Sequence, residues 1–323
     1  MSQKRLKGTE TVGVHSLDHF ALTVPDLEEA RRFFEAFGLE AKEGEGTLEL
    51  YTFGSHHMWA RLQHGPAKRL HYLSFAAYAE DLSHFEERLG KLGVERVDGP
   101  QGALDKSGIW FRDLNGTPVQ IRVGCKKTPD TKQAIPPAQG PAAVRNAPLR
   151  GFLPPVRPSR LSHILLLVPD VPAAVAFYES TLGLRLSDKS GDVVAFTHAM
   201  HGSDHHLIAF ARSNGTGLHH SSWDVPTIDD IGRGAGQMQD AGYEHGWGVG
   251  RHVLGSNYFY YARDPWGSYA EYSFDIDYIP EGTVWEPTSP PEDNSFYLWG
   301  PNPPEDFTHN YECSEWPIAP KLG

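Results

Sequence analysis

Two stretches of the chain carry the same succession of apolar and polar positions. "LDHFALTVPDLEEARRFFEAFGLE" (17–40) and "LSHILLLVPDVPAAVAFYESTLGLR" (161–185) each read as an apolar strand, a Val-Pro-Asp turn, an amphipathic helix and a Gly-Leu exit. The likeness continues beyond these openings. "GSHHMWARL" (54–62) answers "GSDHHLIAF" (202–210), "RLHYLSF" (69–75) answers "GLHHSSW" (217–223), and "FRDLNGTPVQIRV" (111–123) answers "ARDPWGSYAEYSF" (262–274). Such self-similarity means two copies of one module in tandem.

In the second copy the pattern predicts a strand over 161–168 and a helix over 171–181, begun at the Val-Pro-Asp turn and closed by Gly183. Strands follow over 193–197 and 205–210. The second half repeats the scheme, with a strand over 218–225, a helix over 228–241 carrying Asp229 and Asp230 in its first turn, and strands over 257–262 and 269–274. Each module is therefore a pair of βαβββ units, an α+β architecture of two open-barrel-like domains. We expect the first module over 1–124, a Pro-rich linker over 125–158, the second module over 159–274 and a tail over 275–323 laid on the body.

Composition excludes several classes of function. The 323 residues with 39% hydrophobic content can bury an ample core, and the length suits two domains. Lys+Arg 29 against Asp+Glu 41 gives a net charge of −12 without a long run of like charge, which argues against a nucleic-acid partner. The opening "MSQKRLKGTETVGVHS" has no apolar core for a secretory signal, and no window approaches the roughly 18 apolar residues of a membrane span. A cytoplasmic protein without membrane association, and a homo-oligomer, are expected. Cys125 and Cys313 are too few for a disulfide scaffold and lack the spacing of a zinc site. Histidine stands out, with seventeen residues, several in strand-like runs.

Strand alternation puts His163 on one face with Leu161 and Leu165, His220 with Leu218 and Ser222, and Glu271 with Tyr269 and Ser273. If these three strands curve around a common cavity, two imidazoles and a carboxylate converge. Two His and one carboxylate form the facial set that holds non-haem Fe(II) and leaves coordination positions open. Each residue alone has an ordinary reading as a hydrogen-bonded strand position. The equivalent positions of the first copy, however, hold His19, Tyr72 and Gln120. A purely structural demand would have kept both copies alike.

With "LSHILLLVPDVPAAVAFYESTLGL", "GLHHSSWDV" and "GRHVLGSNYFYYARDPWGSYAEY", residues 15–274 resemble the two-domain type I extradiol catechol dioxygenases of the vicinal oxygen chelate superfamily. The resemblance implies Fe(II), with Mn(II) as a substitute, held by His163, His220 and Glu271. It implies O2 as co-substrate and a small aromatic diol as substrate. It also places His252 behind the metal, Tyr261 at the substrate, and an acid-base histidine at His205, with His206 as the registry alternative. His57 to His71 and His205 to His219 span the same fourteen residues, so the gap-free register selects His205 and turns His206 elsewhere.

The residue types suit that chemistry. Two neutral imidazoles and one carboxylate leave Fe(II) with one positive charge, which a catecholate monoanion neutralises. A histidine near its free pKa of about 6.5 can take a catechol proton and deliver it back, and Tyr261 can hydrogen-bond a substrate oxygen. The first module is expected to bind no metal. Rival readings are a metal-dependent isomerase or lyase of the same superfamily and a non-enzymatic protein that sequesters small aromatics. Phe196, His198, Trp247, Arg251 and the tail are candidates for the pocket wall.

Overall fold

The two helices that open the modules start alike because the turn before them supplies the same cap. Asp26 accepts from the backbone N–H groups of Glu28 and Glu29 at the start of Leu27–Ala36, and Asp170 accepts from that of Ala173 at the start of Val171–Leu182. Gly183 closes the latter in the left-handed region, at φ 74°. The computed structural model describes residues 12–132, 134 and 140–313; parts of the N-terminal stretch, the expected linker and the expected tail lie outside the described residues.

Each module builds one curled sheet that forms a half-barrel. The first has seven strands in the order Glu40–Gly44, Thr47–Tyr51, Met58–His64, Ser16–Val24, Arg69–Ala77, Pro118–Val123, Ile109–Arg112. The second has the same order in Arg185–Ser190, Val194–His198, Ile208–Arg212, Arg160–Val168, Gly217–Asp224, Tyr269–Phe274, Tyr258–Arg263, and then adds Gly246–His252 and Tyr297–Trp299. In the first module an isolated bridge between Arg96 and Phe111 stands where the second has the full strand Gly246–His252.

The sequence pattern misses Arg185–Ser190 and Gly246–His252, whose polar and Gly-rich residues show no apolar period. The strand expected over 205–210 is also corrected. Ser203–Asp204 pairs with Tyr278–Ile279 of the tail, residues 205–207 are irregular, and pairing in the main sheet resumes at Ile208.

The modules share a core. The Phe37 ring stacks on Tyr272 at 4.0 Å between centroids, and the Tyr272 hydroxyl donates to the Phe37 carbonyl at 2.8 Å. Buried Glu312 ties the tail to both modules. It accepts from Lys68 Nζ at 2.5 Å, from the Leu218 amide at 2.9 Å and from the Leu70 amide at 2.8 Å. With both charges satisfied, the pair orders three segments at once, beside the strand that carries His219 and His220.

Candidate metal centre

One row of the second sheet runs Trp247, Tyr261, Glu271, Ser222, His163, each paired with the next across adjacent strands. Residues in one row share a face. His220 lies two residues before Ser222 and joins that face. One ligand atom from each of His163, His220 and Glu271 lies within 4.8 Å of the others, and all three residues are buried. His163 Nε2 is 3.2 Å and His220 Nε2 3.5 Å from Glu271 Oε2.

The partners behind these residues settle which nitrogen carries each proton. The Phe307 carbonyl can only accept, so His219 holds its proton on Nε2, 2.7 Å away. His219 Nδ1 is then the acceptor for His220 Nδ1–H at 2.7 Å, leaving the His220 Nε2 lone pair bare. Arg160 grips Asp204 with two guanidinium nitrogens, at 2.6 and 3.2 Å. Ser162 spends its proton on Asp204 at 2.9 Å and accepts from His163 Nδ1 at 3.2 Å, which leaves the His163 Nε2 lone pair bare as well. Burial, and then the charges of His219, His163 and His252, push His220 well below the usual imidazole range. Burial alone would raise Glu271, but His163 and His252 beside it bring its carboxyl below the usual range.

With both imidazoles neutral, these tautomers turn three electron pairs toward one another. His220 Nε2 and Glu271 Oε2 are buried without a hydrogen-bond partner. Such orphaned atoms are costly in a protein interior. A divalent cation satisfies all three at once, so the donor set fits a metal.

The three residues line a cavity of about 270 Å³, which His206, His252, Asn257 and Tyr261 also line. His252 Nδ1 donates to the Phe296 carbonyl at 2.9 Å, so its Nε2 accepts from the Tyr261 hydroxyl at 2.9 Å. Burial, then Glu271, pushes the Tyr261 phenol well above its usual range and keeps it a donor. Asn257 donates to Glu271 Oε1 at 3.1 Å and holds the carboxylate in place.

The expected orientation of the neighbouring histidines is reversed. His205 does not line the cavity. Its Nε2 lies 2.7 Å from Asp188 Oδ2, and its amide donates to the Asp277 carbonyl. His206 is the one that faces the cavity, with its ring 3.9 Å from that of His163 and 4.8 Å from Phe196. Burial, then the charges of His163 and His205, pushes it well below the usual range.

Residues 16–121 and 160–272 match the family described as Glyoxalase/Bleomycin resistance protein/Dioxygenase superfamily. The chain belongs to that superfamily. It is 48% identical over 300 residues to metapyrocatechase 2 of Cupriavidus necator, covering 93% of each chain. It is 26% identical over 276 residues to biphenyl-2,3-diol 1,2-dioxygenase of Paraburkholderia xenovorans (strain LB400), covering 81% of this chain and 88% of that one. Among solved structures, homoprotocatechuate 2,3-dioxygenase from Brevibacterium fuscum in complex with 3,4-dihydroxyphenylacetate superposes with a TM-score of 0.73 at 21% identity, covering 93% of each chain. The resemblance to extradiol dioxygenases expected from the sequence is borne out.

Among the described residues, the matching positions of the first module are already hydrogen-bonded. His19 Nε2 meets the Tyr72 hydroxyl at 3.0 Å, and Gln120 is bonded to Ser74 and to the Ser107 carbonyl, both at 2.8 Å. Of the pocket candidates, Phe196 lines the cavity. His198 instead bonds Ser187, Arg251 bonds the Ser256 carbonyl, and Trp247 stacks behind Tyr261. The tail supplies Glu292, Ser295, Phe296, Phe307 and Thr308 to the wall. Asn257 and the Phe307 carbonyl are absent from the residues singled out by sequence, which carries no signal for a backbone acceptor. His206 did have one. The ladders pair Phe20 with Ala60 and Ile164 with Ile208, which aligns His206 with Met58 and His205 with His57. Like Tyr72 opposite His220, Met58 marks a position where the copies differ.

Among the described residues no helix is long and apolar enough to cross a membrane.

Proposed function

We propose that this protein is an extradiol dioxygenase that opens a catechol-type ring with O2 at a non-haem Fe(II) held by His163, His220 and Glu271. The observation that carries this reading is the convergence of their three bare electron pairs on the cavity floor. A bound Fe(II) would supply a Lewis-acid centre for the catechol and for O2, and Mn(II) suits the same donors. In the reaction a ring C–C bond next to a hydroxyl-bearing carbon breaks, and both atoms of O2 enter the product.

The chain's own residues manage protons and orientation. His206, on the cavity wall, accepts a proton from a substrate hydroxyl and returns it to oxygen. Tyr261 lines the cavity with its proton donated to His252, which leaves its oxygen to accept from a substrate hydroxyl. Asn257 keeps Glu271 oriented, and Phe307 and Phe296 help exclude water. His205 acts through its place beside His206, 3.1 Å between Nδ1 atoms, rather than on substrate. The first module serves as a packing partner. We place the enzyme in the cytoplasm, in keeping with Cys125 and Cys313, both exposed and not joined in a disulfide. We read it as a homo-oligomer, in keeping with the exposed Leu298 and Trp299 at the sheet edge, which sedimentation would test.

The test is metal analysis of the purified protein with oxygen uptake on catechol. One O2 consumed per catechol, with both ¹⁸O atoms of labelled O2 in the ring-opened product, is the expected result. A metal-loaded protein that consumes no O2 would instead be an isomerase or lyase, and one that binds catechol without metal a sequestering protein.

A further inference from the structure

Beyond the ligand cluster the cavity is walled by successive rows of the same sheet face. The first row past His163 is Leu165, Ala209 and Phe196; the next is Leu167, Ala211 and Val194. These six residues pack as one apolar cluster, and four of them, Leu165, Phe196, Ala211 and Val194, touch the cavity. Leu254, Phe296 and Phe307 contribute further apolar surface. Among the described residues no Lys or Arg lines the cavity. Among the described residues, the only charged residue on its wall besides Glu271 is Glu292, an anion.

A ring held through its two oxygens at the cluster must lay its remaining carbons against this wall. A methyl or ethyl group there gains about 25 cal/mol for each Å² of apolar surface buried. A carboxylate there loses its water, finds no cation and faces Glu292. We propose that the site selects catechols with neutral, apolar substituents and rejects those bearing a carboxylate, with Leu165, Ala211 and Glu292 as the residues that enforce the choice. The inference rests on the dioxygenase reading and names its substrate class.

The test compares kcat/KM of the iron-loaded enzyme for catechol, 4-methylcatechol, 3,4-dihydroxybenzoate and the methyl ester of that acid. The ester is larger than the acid but uncharged, so it separates charge from size. We expect the acid to fall at least 100-fold below the ester, and Glu292→Gln with Ala211→Lys to narrow that gap at least tenfold. Cleavage of the acid within tenfold of its ester would overturn the proposal and leave the dioxygenase reading standing. Failure to cleave catechol itself would sink the dioxygenase reading instead. Calorimetric binding of acid and ester to the metal-loaded protein would then still decide the preference: tighter binding of the ester supports it, and equal binding overturns it.

Discussion

The same row of the same sheet appears twice in this molecule with opposite outcomes. In the second module it reads His163, Ser222, Glu271, Tyr261; in the first it reads His19, Ser74, Gln120, Trp110. In the first, a phenol and an amide take the places of imidazole and carboxylate, and they spend their hydrogen bonds on His19, Ser74, Leu104 and Ser107. In the second, the hydrogen bonds are made behind the ligands, and the electron pairs in front are left bare. A βαβββ scaffold therefore does not itself make a metal site. A candidate site arises where buried donors face inward and their protons are committed outward.

The largest expected break in this comparison is loss of a ligand. Glu271→Ala should leave a folded chain, because a single side chain facing the cavity is removed. Its metal affinity should fall by more than the roughly 10-fold to 100-fold that loss of a supporting partner costs. Gln120→Ala at the matching position should change neither metal content, expected at one ion per chain, nor turnover. Two ions per chain, or a fully loaded Glu271→Ala protein, would count against the assignment.

Next in size is the proton-transfer group. His206→Asn should keep its metal and lose roughly 10²-fold to 10⁴-fold in kcat, whereas Met58→Asn in the first module should leave kcat alone. His205→Asn should have the milder effect of a residue that supports its neighbour. A larger kcat loss in His205→Asn than in His206→Asn would return the acid-base role to His205.

A smaller effect is expected for the histidine before each inner position. His219→Phe cuts the link from the Phe307 carbonyl to His220 and should weaken metal binding roughly 10-fold to 100-fold. His219→Gln can still donate to that carbonyl and accept from His220, and should recover most of the loss. His71, the counterpart, bonds Gln63 and the Gln101 carbonyl rather than a histidine of the row, so His71→Phe should be silent. Metal affinity by chelator competition decides between them.

The smallest effect concerns acid stability and should be shared by both modules. Burial, then the neighbouring His201, holds His15 of the first module down to about 3, and burial, then His205, holds His198 of the second down to about 4. Both values lie below the 6.5 of an unfolded histidine. Between those limits the unfolded chain binds more protons, so stability is complete above pH 6.5 and is lost as pH falls toward 4. Each group contributes at most about 1.4 kcal/mol per pH unit. Urea midpoints measured from pH 7.5 to 4.5 should drop, and His15→Asn and His198→Asn should each flatten the slope. An unchanged slope in both would show that other groups govern acid unfolding.

The sequence by itself determined the repeat, most of the order of elements within it, and the inner face that His163, His220 and Glu271 share. Those follow from local rules: a Val-Pro-Asp turn caps a helix wherever it occurs, and alternation assigns faces wherever a strand is pleated. Contrast between the copies then separated His220 and Glu271 from Tyr72 and Gln120. Applied to Met58 and His206, the same contrast would have found the cavity histidine. Choosing the histidine that the copies share instead led to His205. Alternation could not correct that choice, because residues 205–207 lie outside the ladder that resumes at Ile208. Only the tertiary structure decided it, by setting Asp188 against one ring and His163 against the other. The protonation pattern of the ligands was likewise beyond the sequence. It depends on the carbonyl of Phe307, 88 residues further along the chain from His219, and a backbone oxygen has no letter of its own.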